Sequence, residues 1–129
     1  MSYYSNIRHQ FKKDVIRGRC YCFLCGLPIL RLVDLSTEHF YPKSKASYSI
    51  TSQYSNLFPA YRIINNIKGD NTPCDWFQKR EELLQKSLKK GKLNHHNYII
   101  VKAAIENIPN YIINPCNYCI LSQECKKCR

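Results

Sequence analysis

With 129 residues, the chain has room for one domain with a modest core and a tail. Its 20 Lys and Arg against 9 Asp and Glu give a net charge of +11. The basic residues are spread along the chain, a pattern that suits a polyanionic partner as well as it suits a solvated surface. No apolar run approaches the ~20 residues of a membrane-spanning helix, and Met1 to Asn6 is polar and aromatic rather than a signal sequence. A cytoplasmic protein with no membrane contact is the expectation.

Residues 4–17 predict a basic amphipathic helix. Ile7, Phe11 and Val15 recur every four residues, Arg8, Lys12, Lys13 and Arg17 take other faces, and Gly18 closes it. It reads as a helix docked on the core, with phosphate contact as a second use. Cys20 to Gly26, CYCFLCG, is a knuckle whose glycine permits a tight turn. Leu27 to Leu35 predicts a strand that delivers Glu38 and His39 to one end. Pro42 to Ser55 predicts a Ser-rich loop carrying Lys43 and Lys45.

Leu57 and Phe58 anchor the return of that loop. This leaves the Asn56 amide either to fasten the loop or to orient His39. Ala60 to Lys68 predicts a helix stopped by Gly69, with Asn65 and Lys68 on one face. A second helix follows from about Trp76 to Lys90, with Trp76 in the core and Leu83, Leu84 and Leu88 as its apolar stripe. A third, Asn97 to Asn107, turns Ile100, Val101, Ala104, Ile105 and Ile108 inward, with His95 and His96 in the connector before it. The divisions are therefore an N-terminal helix at 1–19, a core at 20–70, a helical cover at 71–114 and a Cys-rich tail at 115–129.

Six of the eight cysteines form C-x-x-C pairs: Cys22 with Cys25, Cys116 with Cys119, and Cys125 with Cys128. Without a secretory signal this spacing reads as metal rather than disulfide, and a thiolate pair suits tetrahedral Zn²⁺. Three partitions are open. Cys22 and Cys25 can share an ion with one tail pair, the four tail cysteines can close on their own ion, or four sulfurs can hold an iron–sulfur cluster. Cys20 and Cys74 read as buried thiols.

The stretch Glu38 to Asp70 concentrates the chemistry. A carboxylate holds a hard cation such as Mg²⁺ or Mn²⁺ through oxygen, an imidazole takes a proton near neutral pH, and an amide oxygen adds a ligand without charge. Glu38-His39, then Asn56, then Asn65 nine residues later, then Lys68 and the Lys-Gly-Asp ending at Asp70, resemble the motif of HNH endonucleases. The opening EHFYPKS resembles the small HNH effectors that accompany ATPases in bacterial antiphage systems. The resemblance covers roughly residues 20–70.

That resemblance implies an α+β fold: a small ββα-metal core with flanking helices and zinc knuckles. It implies metal-dependent hydrolysis of DNA, most naturally double-stranded, to a 5′-phosphate product. His39 is then the general base, Glu38 and Asn65 hold Mg²⁺ or Mn²⁺, and Asn56 orders the loop. Lys43, Lys45 and Lys68 meet flanking phosphates. Two departures stand out: Glu38 replaces the more usual Asp, and Tyr61 and Ile64 occupy the places of a second Cys pair. A tail pair completing the Cys22–Cys25 site would make good that loss. Two alternatives remain at this point: a non-catalytic zinc-dependent nucleic-acid-binding module, and a nuclease subunit active only with an ATPase partner.

Overall fold

The computed structural model describes residues 3–107 and 117–121. Cys116, Cys125 and Cys128 lie outside the described residues, as does Ile108. Among the described residues the order is α1 (Tyr3–Ile16), β1 (Leu35–His39), α2 (Tyr48–Thr51), β2 (Leu57–Tyr61), α3 (Arg62–Lys68), α4 (Pro73–Lys89) and α5 (His95–Glu106), with short 3₁₀ turns between some of them. This is a mixed α+β fold: several helices around a two-stranded antiparallel hairpin.

α1 forms where its apolar spacing places it. Phe11 and Val15 are buried, and Ile7 packs against the core beside them. Gly18, at φ 69°, supplies the left-handed turn that ends it. The knuckle that follows is tied down at both ends: the N–H of Cys22 donates to Leu27 O at 2.7 Å, and that of Gly26 to Cys22 O at 2.7 Å.

The strand expected at Leu27 to Leu35 lies elsewhere. Only an isolated bridge, Tyr21 to Pro28, forms there, and Leu32–Asp34 is a 3₁₀ turn. Leu30, Leu32 and Val33 are exposed, so this apolar run has no sheet partner to cover it. The strand instead begins at Leu35. It pairs with β2 in the register Leu35 to Tyr61 through His39 to Leu57.

β2 contains Pro59, opposite Thr37. The ladder tolerates it because the polar backbone at Pro59 faces away from β1: its carbonyl accepts the Phe23 N–H at 2.8 Å. The expected loop at 42–55 contains the short α2 and two 3₁₀ turns. α3 follows β2 directly and ends at Gly69, φ 54°.

α4 starts at Pro73, earlier than expected. The Thr72 hydroxyl caps it by accepting from the Asp75 N–H at 3.3 Å, and Pro73 sits in the first turn, where no N–H is needed. Trp76 and Leu84 are buried, as their pattern predicts. Asn94 caps α5 by accepting from the Asn97 N–H at 2.7 Å. His95 and His96 therefore stand in the first turn of the helix, exposed, and not in a connector. Val101 turns inward, whereas Ile100 is 38 % exposed. No helix among the described residues is long and apolar enough to cross a membrane.

Candidate active site

The hairpin lies between two helices, and the pleat divides its side chains between them. Ser36 and Glu38 face α3. The Asn65 amide donates to Ser36 Oγ at 2.9 Å, and Lys68 Nζ donates to Glu38 Oε1 at 3.0 Å. Two residues along β1 match three along α3, so strand and helix advance together. Thr37 and His39 take the opposite face, toward α1, where the Tyr4 ring stacks on the imidazole at 5.8 Å between centroids and 14° between planes.

Glu38 and Lys68 form a fully buried ion pair, with side-chain exposures of 3 % and 0 %. The expected phosphate contact at Lys68 is therefore not what this side chain makes. Its helical position turns it inward onto the carboxylate, with the Phe40 ring centroid 6.0 Å from Nζ. Burial pushes the Glu38 carboxyl up to about 7, against the opposing pull of Lys68. Glu38 Oε2 is buried and has no hydrogen-bond partner. Burial, and then the charges of Lys43 and Lys68, push His39 down to about 4, so its imidazole is neutral at pH 7.

Asn56 is completely buried and acts as the clasp of the loop. Its Nδ2 donates to Tyr41 O at 3.0 Å and Thr51 O at 2.9 Å, and its Oδ1 accepts the Tyr41 N–H at 2.7 Å. Its own carbonyl accepts the Phe40 N–H at 2.9 Å. Of the two roles expected for it, this geometry is the fastening one. It fixes the residues that immediately follow His39. Lys43 and Lys45 are exposed in the 3₁₀ turn Lys43–Lys45, with Lys43 close enough to act on His39.

Glu38 and Asn65 are the residues here whose oxygens could hold a hard cation. The orphaned Oε2 of Glu38 has no hydrogen-bond partner and carries negative charge only once the carboxyl, held up to about 7 by burial, ionises. Asn65 spends its amide nitrogen on Ser36, which leaves its carbonyl oxygen to coordinate. Glu38 Oε1 is held by Lys68, so a cation competes for this carboxylate with an ammonium already in place.

The knuckle presents a separate, softer site. Cys22 and Cys25 are fully buried. Burial alone would raise Cys22. Hydrogen bonds from the Cys25 thiol and from backbone N–H groups, including Tyr61 N–H to Cys22 Sγ at 3.2 Å, outweigh it and lower the thiol. Cys25, as the donor in that pair, is raised. Where the resemblance would place a second Cys pair stand Tyr61, whose N–H reaches Cys22 Sγ, and Ile64, which fills the core. Cys119 is buried too, and its neighbour Tyr118 packs edge-on against Phe23 of the knuckle at 5.6 Å. No group of three or more His, Cys, Asp or Glu that could hold a metal occurs among the described residues. Cys20 is a buried free thiol pushed up to about 11 by burial. Cys74, expected as another, is instead disulfide-bonded.

Sequence reasoning overlooked Ser36 as the tether of Asn65, Tyr4 as the stacking partner of His39, and the inward turn of Lys68. Only the last had a local signal, its three-residue offset from Asn65. No protein-family model, curated protein or solved structure matches this chain.

Proposed function

We propose that the chain is a metal-dependent endonuclease with an HNH-type ββα-metal core, hydrolysing phosphodiester bonds of double-stranded DNA. The observation that carries this reading is the unpartnered, buried Oε2 of Glu38, two residues along the same face of β1 from Ser36, which tethers Asn65, and next in sequence to a neutral His39 on the other face. Glu38 and Asn65 are the residues that hold Mg²⁺ or Mn²⁺. When bound, the cation supplies Lewis-acid neutralisation of charge on the phosphodiester and its leaving oxygen. His39 accepts the proton of the attacking water on its free ring nitrogen. Tyr4 fixes the plane of that ring, and the Asn56 clasp holds the chain just beyond it. Burial does most to keep His39 a weak base, and a phosphate drawn in by Lys43 offsets the smaller contribution of the neighbouring ammonium charges. Zn²⁺ at Cys22 and Cys25, completed by a tail pair, is structural in this reading, because a closed thiolate site offers no open position.

The Glu38–Lys68 ion pair favours a second reading. An ammonium already neutralises the carboxylate, as it would in a nucleic-acid-binding module that has given up its cation. Incubating plasmid with the protein and Mg²⁺, Mn²⁺ or EDTA separates the two. The nuclease reading expects nicking with either metal, none in EDTA, and a loss of ~10²–10⁴-fold in His39→Ala. Binding without cleavage under any metal leaves the module reading. Cleavage by His39→Ala at the wild-type rate removes His39 from the mechanism.

A further inference from the structure

A cleft of about 170 Å³ runs between α1 and the start of β1. Tyr4, Arg8 and Lys12 line one wall, Ser36 and Thr37 the other, and Arg62 joins from the start of α3. The three α1 residues are four apart, so they form a single stripe with a step of ~6 Å. None of the residues lining the cleft is acidic, and neither Arg8 nor Lys12 makes an ion pair among the described residues.

Arg62 is already aimed. Its Nε donates to Val33 O at 3.2 Å and its Nη2 to Leu35 O at 2.7 Å. Carbonyls fix the guanidinium without cancelling its charge, and Nη1 stays free for another acceptor. The Tyr4 end of the stripe is the end that stacks on His39.

We infer that this cleft is a track for the phosphodiester backbone of a nucleic-acid strand, gripped by Arg8, Lys12 and Arg62 and delivered past Tyr4 to His39. The charge is unpaired, the Thr37 hydroxyl offers a neutral donor opposite it, and the cations are spaced along a line, as a polyanion requires and a single small anion does not. From Tyr4 to Lys12 the stripe spans ~12 Å, or about three to four nucleotide steps at 3.4 Å per step along one strand. The inference rests on the nuclease reading only for what stands at the end of the track.

The test is fluorescence anisotropy of a labelled duplex oligonucleotide from 50 to 200 mM salt, in EDTA, so that binding is read apart from chemistry. The double variant Arg8→Ala/Lys12→Ala removes two exposed or half-exposed side chains, and an unchanged melting temperature confirms the fold. It is expected to weaken binding at least tenfold at 100 mM salt and to flatten the log–log salt slope by about 1.8, two phosphates' worth. The charge-matched control Lys89→Ala/Lys90→Ala, at the far end of α4, is expected to change the slope much less. Equal losses in both double variants, or an unchanged slope in the first, overturn the track. If the wild type cleaves while the first variant binds normally, the track falls and the nuclease stands. If nothing cleaves but the slope flattens as expected, the nuclease falls and the track stands.

Discussion

Lys68 Nζ lies 3.0 Å from one oxygen of the buried Glu38 carboxylate and leaves the other oxygen with no partner. Removing one member of a buried pair typically costs ~3–5 kcal/mol while the stranded charge persists. Here protonation relieves that cost, since burial already holds Glu38 near 7. Lys68→Met raises it further, so the variant loses stability as pH climbs from about 4.5 through and beyond 7. Urea denaturation in EDTA should give a small deficit at pH 5.5 and a much larger one at pH 8.5. Equal deficits at the two pH values would mean that the ion pair is not what Lys68 contributes.

Glu38 and His39 pull the pH dependence of folding in opposite directions. The folded state holds more protons at Glu38 between about 4.5 and 7, so that group costs stability as pH rises. It holds fewer at His39 between about 4 and 6.5, so that group adds stability as pH rises. Over their shared window the two slopes oppose. Glu38→Gln should unmask the histidine and give a metal-free protein whose stability climbs with pH from about 4 to 6.5. His39→Ala should unmask the glutamate and give a decline from about 4.5 to 7. Denaturation midpoints across that range, with neither variant differing in slope from wild type, would contradict both assignments.

Asn56→Ala strands the Tyr41 N–H and the carbonyls of Tyr41 and Thr51. Each buried orphan costs ~1–3 kcal/mol, so a loss of about 3 kcal/mol or more is expected. Hydrogen exchange should localise the opening to residues 40–56, with α4 and α5 still protected. Asn56→Asp keeps the acceptor for Tyr41 but turns a carboxylate on two carbonyls, and should be no better. A neutral Asn56→Ala would show that the loop is held by something else.

Cys22 carries the lowered thiol of the knuckle, and Cys22→Ser removes the sulfur that accepts the Tyr61 N–H. If zinc is bound there, metal analysis should find less of it in the variant. The domain should also unfold at lower temperature, since binding and folding are coupled. An unchanged zinc content would move the metal to the tail cysteines, and a visible absorbance band in the purified wild type would point to iron–sulfur.

The order Glu38, His39, Asn56, Asn65 was legible because each side chain's chemistry and offset are local facts. The clasp at Asn56 was one of two roles the sequence left open, and only the contacts to Tyr41 and Thr51 select it. The strand was misplaced because an apolar run announces hydrophobicity and not its partner. Leu30 and Val33 are as apolar as Leu35, yet only Leu35 meets β2. Lys68 was read as a surface cation because its partner is 30 residues away. Tyr4 gave no sign of His39 for the same reason: the contact exists only once α1 folds across the hairpin.

The knuckle stands against the outer edge of β2. Phe23 N–H meets Pro59 O, and Cys22 Sγ meets Tyr61 N–H, two residues further on the same outward side. A two-stranded ribbon has two open edges, and each invites another chain to add a strand. On this edge a proline withholds one donor and the knuckle occupies the neighbouring groups, serving as a third strand that cannot be extended. Loss of the knuckle would bare this edge of β2 to another strand.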